Sequence, residues 1–256
     1  MSALAIGAIV FLCVFGGALF GMFLGRMLPE HHLSTDAKDV IKVAMAMVAT
    51  LAALVLGLMI ASAESSLDDK ETELKSTAAR VLLLDRTLAE YGPETQEARD
   101  LLKKILSARI NEIWREENTT GIADAEEAIG SDVDVEKLQA MLLKFFPQND
   151  AQRWFQSTAL QISNDIAAAR WSSLEQIESR VEWPFLIVVV FWLATIFVSF
   201  GLFAPPNSSV TIALFIAALS VAGSIYLMLE MDEPYSGPIK ISSTPLRIAL
   251  ERLGQP

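Results

Sequence analysis

Four long stretches of the chain contain no Asp, Glu, Lys or Arg, and they constrain the fold more than any other feature. They are residues 2–25, 43–63, 184–203 and 205–229. A helix needs about 20 apolar residues to cross the hydrocarbon core of a bilayer. Each stretch is long enough, so the chain is predicted to be an all-α membrane protein with four transmembrane helices. No Lys or Arg precedes the first stretch, which favours a retained span over a cleaved signal peptide.

The four spans group in two pairs around a polar region. We predict a first transmembrane hairpin over residues 1–63, with spans at 3–25 and 40–63, and a helical cytoplasmic domain over residues 64–183. A second hairpin is predicted over residues 184–230, with spans at 184–203 and 209–229. A cytoplasmic tail completes the sequence at residues 231–256.

The distribution of Lys and Arg predicts the orientation. With four spans, both termini and the polar domain lie on one side of the membrane. Lys and Arg are more frequent on the cytoplasmic side of membrane proteins. More of them lie near the membrane on the side of the termini, which predicts cytoplasmic termini and a cytoplasmic domain. The residues on the side of the termini are Lys70, Lys75, Arg80, Arg170, Arg180, Lys240 and Arg247. Those on the other side of the membrane are Arg26, Lys38 and Lys42.

The polar region has a helical pattern throughout. Leucines and valines recur at intervals of three, four and seven residues after the second span, so that span is predicted to continue as one helix to Tyr91. A new helix is predicted to begin at Pro93, a favoured first position. A short helix is predicted over residues 135–146 with Asp134 as its cap, and another from the cap Asp150 into the third span.

The sequence offers little support for an enzyme. It has no Gly-rich phosphate loop and no His-Glu-x-x-His or Gly-x-Ser-x-Gly motif. Its only histidines, His31 and His32, follow Glu30 directly, and three consecutive residues rarely converge on one metal ion. We therefore predict no catalytic residue, metal site or cofactor. The net charge of −11 argues against a nucleic-acid partner, because phosphate binding needs a basic surface.

The spans contain two patterns that concern function. Small residues repeat every fourth position in the first and second spans, which predicts close helix packing. On the second span, another stripe follows the helical period and contains no charge. In a monomer it would contact lipid or a neighbouring helix, whereas in a ring of subunits it would form a narrow hydrophobic neck. The small residues are Gly17, Gly21 and Gly25, then Ala49, Ala53 and Gly57; the stripe is Met47, Thr50, Leu54, Leu58 and Ala61.

Several segments resemble the bestrophin channels. The order of spans matches the bestrophin layout, and residues 54–58, Leu-Val-Leu-Gly-Leu, resemble the aromatic-x-Leu-Gly-Phe neck segment of that family. Residues 230–237 resemble the turn after the fourth bestrophin span. Residues 84–93 and 232–237 are similar to the bacterial bestrophin-like domain family, and this similarity covers nearly the whole chain.

The resemblance implies a pentameric channel whose second spans line the pore. Thr50, Leu54 and Leu58 then occupy the three neck positions, and Met47 and Ala61 extend the pore lining. The neck residues here are not aromatic, and the tail lacks the acidic cluster of the bestrophin calcium clasp, so calcium gating is not implied. The turn after span four is represented by Asp232, Pro234, Tyr235 and Gly237.

The predicted function is therefore an oligomeric ion channel, with a pentamer favoured. Its partners would be the lipid bilayer, further copies of the chain and small permeant ions. The family resemblance favours anions, but residues 64–183 contain 24 acidic and 14 basic residues, a net charge of −10, which would repel chloride. The alternative is a non-conducting scaffold or signalling protein whose cytoplasmic helices bind a partner.

Overall fold

A computed structural model describes residues 2–27, 35–114, 131–175, 183–205, 207–235 and 237–255. These residues contain helices and no β-strand. A short 3₁₀ turn, Pro93–Thr95, connects the second and third helices. The helices are α1 (Ala3–Met27), α2 (Thr35–Tyr91), α3 (Gln96–Ile113), α4 (Ser131–Leu143), α5 (Asp150–Glu175), α6 (Trp183–Phe203), α7 (Ser208–Met231) and α8 (Thr244–Arg252).

The structure confirms four helices that could cross a membrane. By length and composition these are α1, the apolar part of α2, α6 and α7. The second span does continue without a break, because α2 runs for 57 residues to Tyr91. Gly92 and Pro93 follow, and a proline cannot continue the hydrogen-bonding pattern of a helix.

The chain divides into two compact units. Unit 1 comprises residues 1–67 and 179–239, and unit 2 comprises residues 68–178 and 240–256. Helix α2 contributes to both units, and the C-terminal tail from Lys240 onward belongs to unit 2.

In unit 1, α1 packs mainly against α6 and α7. A Cβ atom at Gly21 would overlap the carbonyl oxygen of Val198 on α6, and a Cβ atom at Gly201 would overlap the carbonyl oxygen of Ala18 on α1. The two backbones are therefore in direct contact, which only glycine permits. The predicted hairpins paired spans that are consecutive in sequence, such as α1 and α2. Among the described helices, however, α1 packs mainly against α6 and α7.

Helices α1 and α6 run in the same direction. Gly17 lies against Ala194 and Gly25 lies against Leu202, so the residue numbers rise together along the contact. All three glycines of the first span that were predicted to pack thus face α6. Their spacing of four residues places them on one side of the helix.

Helix α7 runs antiparallel to α1. Near the start of α1, Gly7 lies against Tyr226, and near its end Met22 lies against Thr211. The end of α1 at Arg26 and the start of α7 line one cavity. The connection between α6 and α7 therefore lies at the same end of unit 1 as the end of α1.

Unit 2 is built on the second half of α2. Its core contains leucines, valines and aromatic residues from α2, α3, α4, α5 and the tail. Trp114 is 2% exposed, and its indole N–H donates to the carbonyl oxygen of Ile241 at 3.0 Å. The tail thus forms part of this core. Core residues include Leu74, Val81, Leu84, Leu88, Leu102, Ile110, Leu142, Ile162, Leu246 and Leu253.

A buried ion pair joins three segments of unit 2. The Arg99 guanidinium donates to both carboxylate oxygens of Asp85, at 2.7 and 3.0 Å. The backbone N–H of Gly254 donates to the same carboxylate at 3.2 Å. Asp85 is 2% exposed and Arg99 is 13% exposed. This ion pair fixes α2, α3 and the C-terminal end to one another.

Three local predictions need correction or lie outside the described residues. Helix α4 occupies residues 131–143 instead of 135–146, so Asp134 lies within it. The cap of α5 is Asn149, whose side-chain oxygen accepts from the N–H of Gln152 at 2.8 Å. Asp150 lies in the first turn instead, where its charge favours the helix dipole. Glu30, His31 and His32, for which no metal site was predicted, are not among the described residues.

The contact between α1 and α6 predicts that Gly21→Val destabilises the protein. The added side chain must displace backbone atoms, and overpacking of this kind costs about 1–3 kcal/mol or more. Gly16→Val is a matched control, because a Cβ atom at Gly16 meets nothing within 4 Å. Thermal unfolding in detergent should show a lower midpoint for Gly21→Val alone. Equal midpoints would contradict the described contact.

The buried ion pair predicts that Asp85→Asn destabilises unit 2. Leaving Arg99 as a buried and unpaired charge costs about 3–5 kcal/mol, toward the lower figure here because the guanidinium keeps some exposure. Asp150→Asn is the control, since Asp150 pairs with Arg153 at the surface and such pairs contribute about 1 kcal/mol or less. Denaturant unfolding compares the two. An equal loss of unfolding free energy in both variants would show that the buried pair contributes no more to stability than the surface pair does.

Candidate functional site

The apolar part of α2 has one packed side. Ala52 is buried, and Val55, Leu56, Met59 and Ile60 pack partly buried against the core of unit 1. A helix turns about 100° per residue, and these positions centre on one side of it. The opposite side of α2 is therefore not covered by any of the residues that the structure describes.

That free side is the predicted pore-lining stripe. Met47 is 68% exposed, Leu54 is 61% exposed and Leu58 is 63% exposed. Thr50 and Ala61 are exposed as well. The structure thus brings all five residues to one surface of α2, and none of them contributes to the core of the chain.

Thr50 is the only polar side chain of this stripe. Its hydroxyl donates to the carbonyl oxygen of Ala46 at 2.9 Å, one turn earlier in the same helix. The hydroxyl proton is therefore satisfied locally. An ion beside the stripe would meet leucine side chains, one methionine and at most the remaining acceptor capacity of one hydroxyl.

Two small residues of the second span, Ala53 and Gly57, do not pack against the described part of the chain. Ala53 and Gly57 are exposed, and a Cβ atom at Gly57 would meet nothing within 4 Å. Their role as packing positions stays a prediction, and within the described residues the packed residue on this turn is Ala52. The reason is rotation: Ala53 and Gly57 lie about a quarter turn from the stripe, on the flank of the helix.

Helix α2 is the least covered of the four apolar helices. Only 6% of its apolar window is buried, whereas 28–33% of the window is buried in α1, α6 and α7. The exposed residues of α1, α6 and α7 are mainly bulky side chains. They include Leu4, Leu12, Phe20, Phe23, Phe185, Ile187, Phe191, Ile212, Phe215, Ile216 and Leu219.

The predicted turn after span four closes on its own helix. Helix α7 ends at Met231, and Asp232 is its C-terminal cap. Pro234 is buried and Tyr235 is 40% exposed. Gly237 has φ +81°, and the carboxylate of Glu230 occupies the position that a Cβ atom would need. Two reasons therefore favour glycine at this position: its backbone is in the left-handed region, and a Cβ atom would overlap the Glu230 carboxylate.

Comparison with known families decides what the chain is. The model of the bestrophin-like domain matches residues 12–246. The chain belongs to the bestrophin-like family. The resemblance drawn from the sequence is thereby confirmed, and together with the four apolar helices it identifies an integral membrane protein. No curated protein and no solved structure matches the chain.

The described part of this bestrophin-like protein contains no group of three His, Cys, Asp or Glu side chains that could hold a metal ion. Its best-formed polar site is the Asp85 and Arg99 ion pair. Hydrogen bonding to Asp85 raises the pKa of Arg99 above its ordinary value, although desolvation acts in the opposite direction. The hydrogen bonds from Arg99 to both carboxylate oxygens of Asp85 make the pair a structural connection between α2 and α3.

Sequence reasoning missed two features of α2. Asp85 lies within residues 84–93, which carry the family resemblance, but its burial and its partner 14 residues later had no sequence signal. The side of α2 that packs in unit 1 was also not identified. Ala52 differs from Ala49 and Ala53 only in its rotation about the helix axis, which the sequence does not fix.

Proposed function

We propose that the protein is an oligomeric ion channel of a bacterial inner membrane, with five subunits favoured. Helix α2 of each subunit would turn the stripe from Met47 to Ala61 toward a common axis. The observation that carries the proposal is the fully exposed, uncharged face of α2 in a member of the bestrophin-like family. No enzymatic role is proposed.

The three sides of α2 fit a ring of subunits. One side packs against the core of unit 1, the stripe lies opposite, and Ala53 and Gly57 lie on a flank between them. In a ring, a pore-lining helix meets its own subunit behind it, the axis in front and a neighbour beside it. Small residues on the flank would let that neighbouring helix approach closely.

The helix directions support the predicted topology. Since α1 and α6 run in the same direction, the chain must return across the membrane between them, and α2 is the helix that can do so. This supports two hairpins, with both termini and residues 64–183 on one side. The distribution of Lys and Arg supports the cytoplasm as that side.

The hydrophobic stripe suggests how such a channel would be controlled. Narrow apolar constrictions stop ions by excluding water, because an ion loses its hydration shell there without replacement. Leu54 and Leu58 are one helical turn apart and project from the exposed face. Two adjacent rings of leucine would form the neck, with Thr50 as a third ring.

Recording from purified protein in planar bilayers tests the proposal. Leu54→Ala and Leu58→Ala should raise the leak current or the open probability, because a smaller side chain widens the neck. Leu12→Ala is a matched control on α1, with 67% exposure against 61% for Leu54, and should leave the current unchanged. Leu84→Ala should instead lower stability by about 2–5 kcal/mol, because Leu84 is fully buried. Silent bilayers under varied ions, voltage and pH would contradict the channel.

The flank predicts a separate effect on assembly. Gly57→Phe should weaken the oligomer about fivefold or more, since overpacking costs about 1–3 kcal/mol and 1.4 kcal/mol is a tenfold change in affinity. Gly16→Phe on α1 is the control, because both glycines have open space in the single chain. Native mass spectrometry measures the subunit number. A wild-type monomer or dimer that copurifies with a soluble protein would favour the scaffold alternative.

A further inference from the structure

A cavity lies in unit 1 between the end of α1 and the start of α7. Its volume is about 470 Å³, within the range of about 300–1,000 Å³ that is usual for small-molecule sites. Both helices belong to the same compact unit, so the cavity is formed inside that unit. Its lining includes Leu19, Phe23 and Arg26 of α1 with Asn207, Ser208 and Ile212 at the start of α7.

The lining changes from polar to apolar along the two helices. Arg26 lies in the last turn of α1, while Asn207 and Ser208 begin α7, so the polar lining lies at one end of both. Leu19 is about 10 Å from Arg26 along α1, and Ile212 is likewise further from that end. A span that is uncharged until its last turn places that turn at the surface of the hydrocarbon core. The cavity thus leads from the membrane surface toward the hydrocarbon core.

The apolar wall of the cavity is open to the surroundings of the chain. Leu19 is 44% exposed, Phe23 is 58% exposed and Ile212 is 59% exposed. Around a helix that spans a membrane, those surroundings are acyl chains, which are as apolar as the side chains themselves. An acyl chain can therefore lie against this wall.

Arg26 supplies the only charge in the described lining of the cavity. Its side chain is exposed, and it forms no hydrogen bond or ion pair with another residue in the part of the chain that the structure describes. A guanidinium group is always charged, and its planar fork of N–H donors matches the oxygens of a phosphate. The polar end of the cavity therefore favours a phosphate group.

Ser208 adds a hydroxyl donor from the other helix at the same end. Within the described residues this hydroxyl forms no hydrogen bond, so its proton is available to an acceptor. The N-terminus of α7 is already capped, because the side-chain oxygen of Asn207 accepts from the N–H of Ser209 at 3.2 Å. A phosphate would therefore be bound by Arg26 and Ser208, and the site does not depend on the free backbone of the helix.

We propose that this cavity binds one anionic phospholipid. Arg26 and Ser208 would bind its phosphate, as basic pockets between transmembrane helices bind anionic headgroups. Leu19, Phe23 and Ile212 would contact the first part of an acyl chain. A zwitterionic phospholipid also brings an ammonium group, and the described lining offers no carboxylate to pair with it. The cavity should therefore prefer phosphatidylglycerol to phosphatidylethanolamine.

Native mass spectrometry of the full-length protein tests the inference. The protein is released from detergent that contains equal amounts of dioleoyl phosphatidylglycerol and dioleoyl phosphatidylethanolamine, which differ in mass. Wild-type protein should retain mainly phosphatidylglycerol. Arg26→Ala should lower its affinity about tenfold, because hydrogen bonds to a charged group are lost. Arg26→Lys keeps the charge without the planar fork, so its affinity should lie between the two.

Lys42→Ala is the matched control for a general loss of positive charge. Lys42 is exposed in the same unit, pairs with Asp39 at 3.2 Å and does not line the cavity. Its affinity for phosphatidylglycerol should stay within about twofold of wild type, because exposed charges interact weakly. Phosphatidylglycerol should also raise the thermal midpoint of wild-type protein and of Lys42→Ala more than that of Arg26→Ala, since a ligand stabilises the state that binds it.

Three outcomes would overturn the lipid site. They are equal retention of the two lipids by wild-type protein, an equal loss in Arg26→Ala and Lys42→Ala, and displacement of the lipid by millimolar inorganic phosphate. The last result would show that the cavity takes a free anion. None of these measurements depends on current through the protein, so their result is separate from that of the proposed channel.

Discussion

The contact between the backbones of α1 and α6 is the interaction on which the membrane unit depends. Inside a bilayer there is little hydrophobic gain from burying one apolar helix against another, because lipid is equally apolar, and association relies on close packing. Gly21 and Gly201 allow that packing by removing the Cβ atoms that would separate the two helices. Helix α7 completes the group on another part of α1.

This arrangement has a consequence for α2. The core formed by α1, α6 and α7 receives only one side of α2, through Ala52, Leu56 and Ile60. The remaining surface of its apolar part is largely exposed among the described residues. A helix covered on one side only is suited to contacts with other subunits and with a water-filled space, which is the arrangement that the proposed channel requires.

Unit 2 is held together differently from unit 1. It combines an apolar core with a buried ion pair whose carboxylate also accepts from the C-terminal backbone. The attraction between buried charges is offset by the loss of their hydration, so such a pair contributes most by fixing one geometry. Here it fixes the orientation of the second half of α2.

Much of the fold could be predicted because its elements are encoded locally. Uncharged stretches of about 20 residues identified the membrane-crossing helices, and apolar spacing predicted the continuation of α2 to Tyr91. The boundaries of α4 and the cap of α5 were wrong, since several polar residues near each helix start can serve as caps and the sequence does not rank them. The glycines of α1 were recognised as packing residues, but their partner α6 lies about 170 residues away in sequence.

The sequence by itself determined the membrane class, the helical composition, the family and the residues of the stripe. The family follows from the resemblance of particular segments, and the others follow from composition or periodicity within one segment. Only the tertiary structure decided which side of α2 is packed, that Ala53 and Gly57 face outward, that Asp85 is buried with Arg99, and that α1 adjoins α6. Those facts depend on the rotation and position of one helix relative to others. Such relations arise from contacts between residues distant in sequence, and no local pattern specifies them.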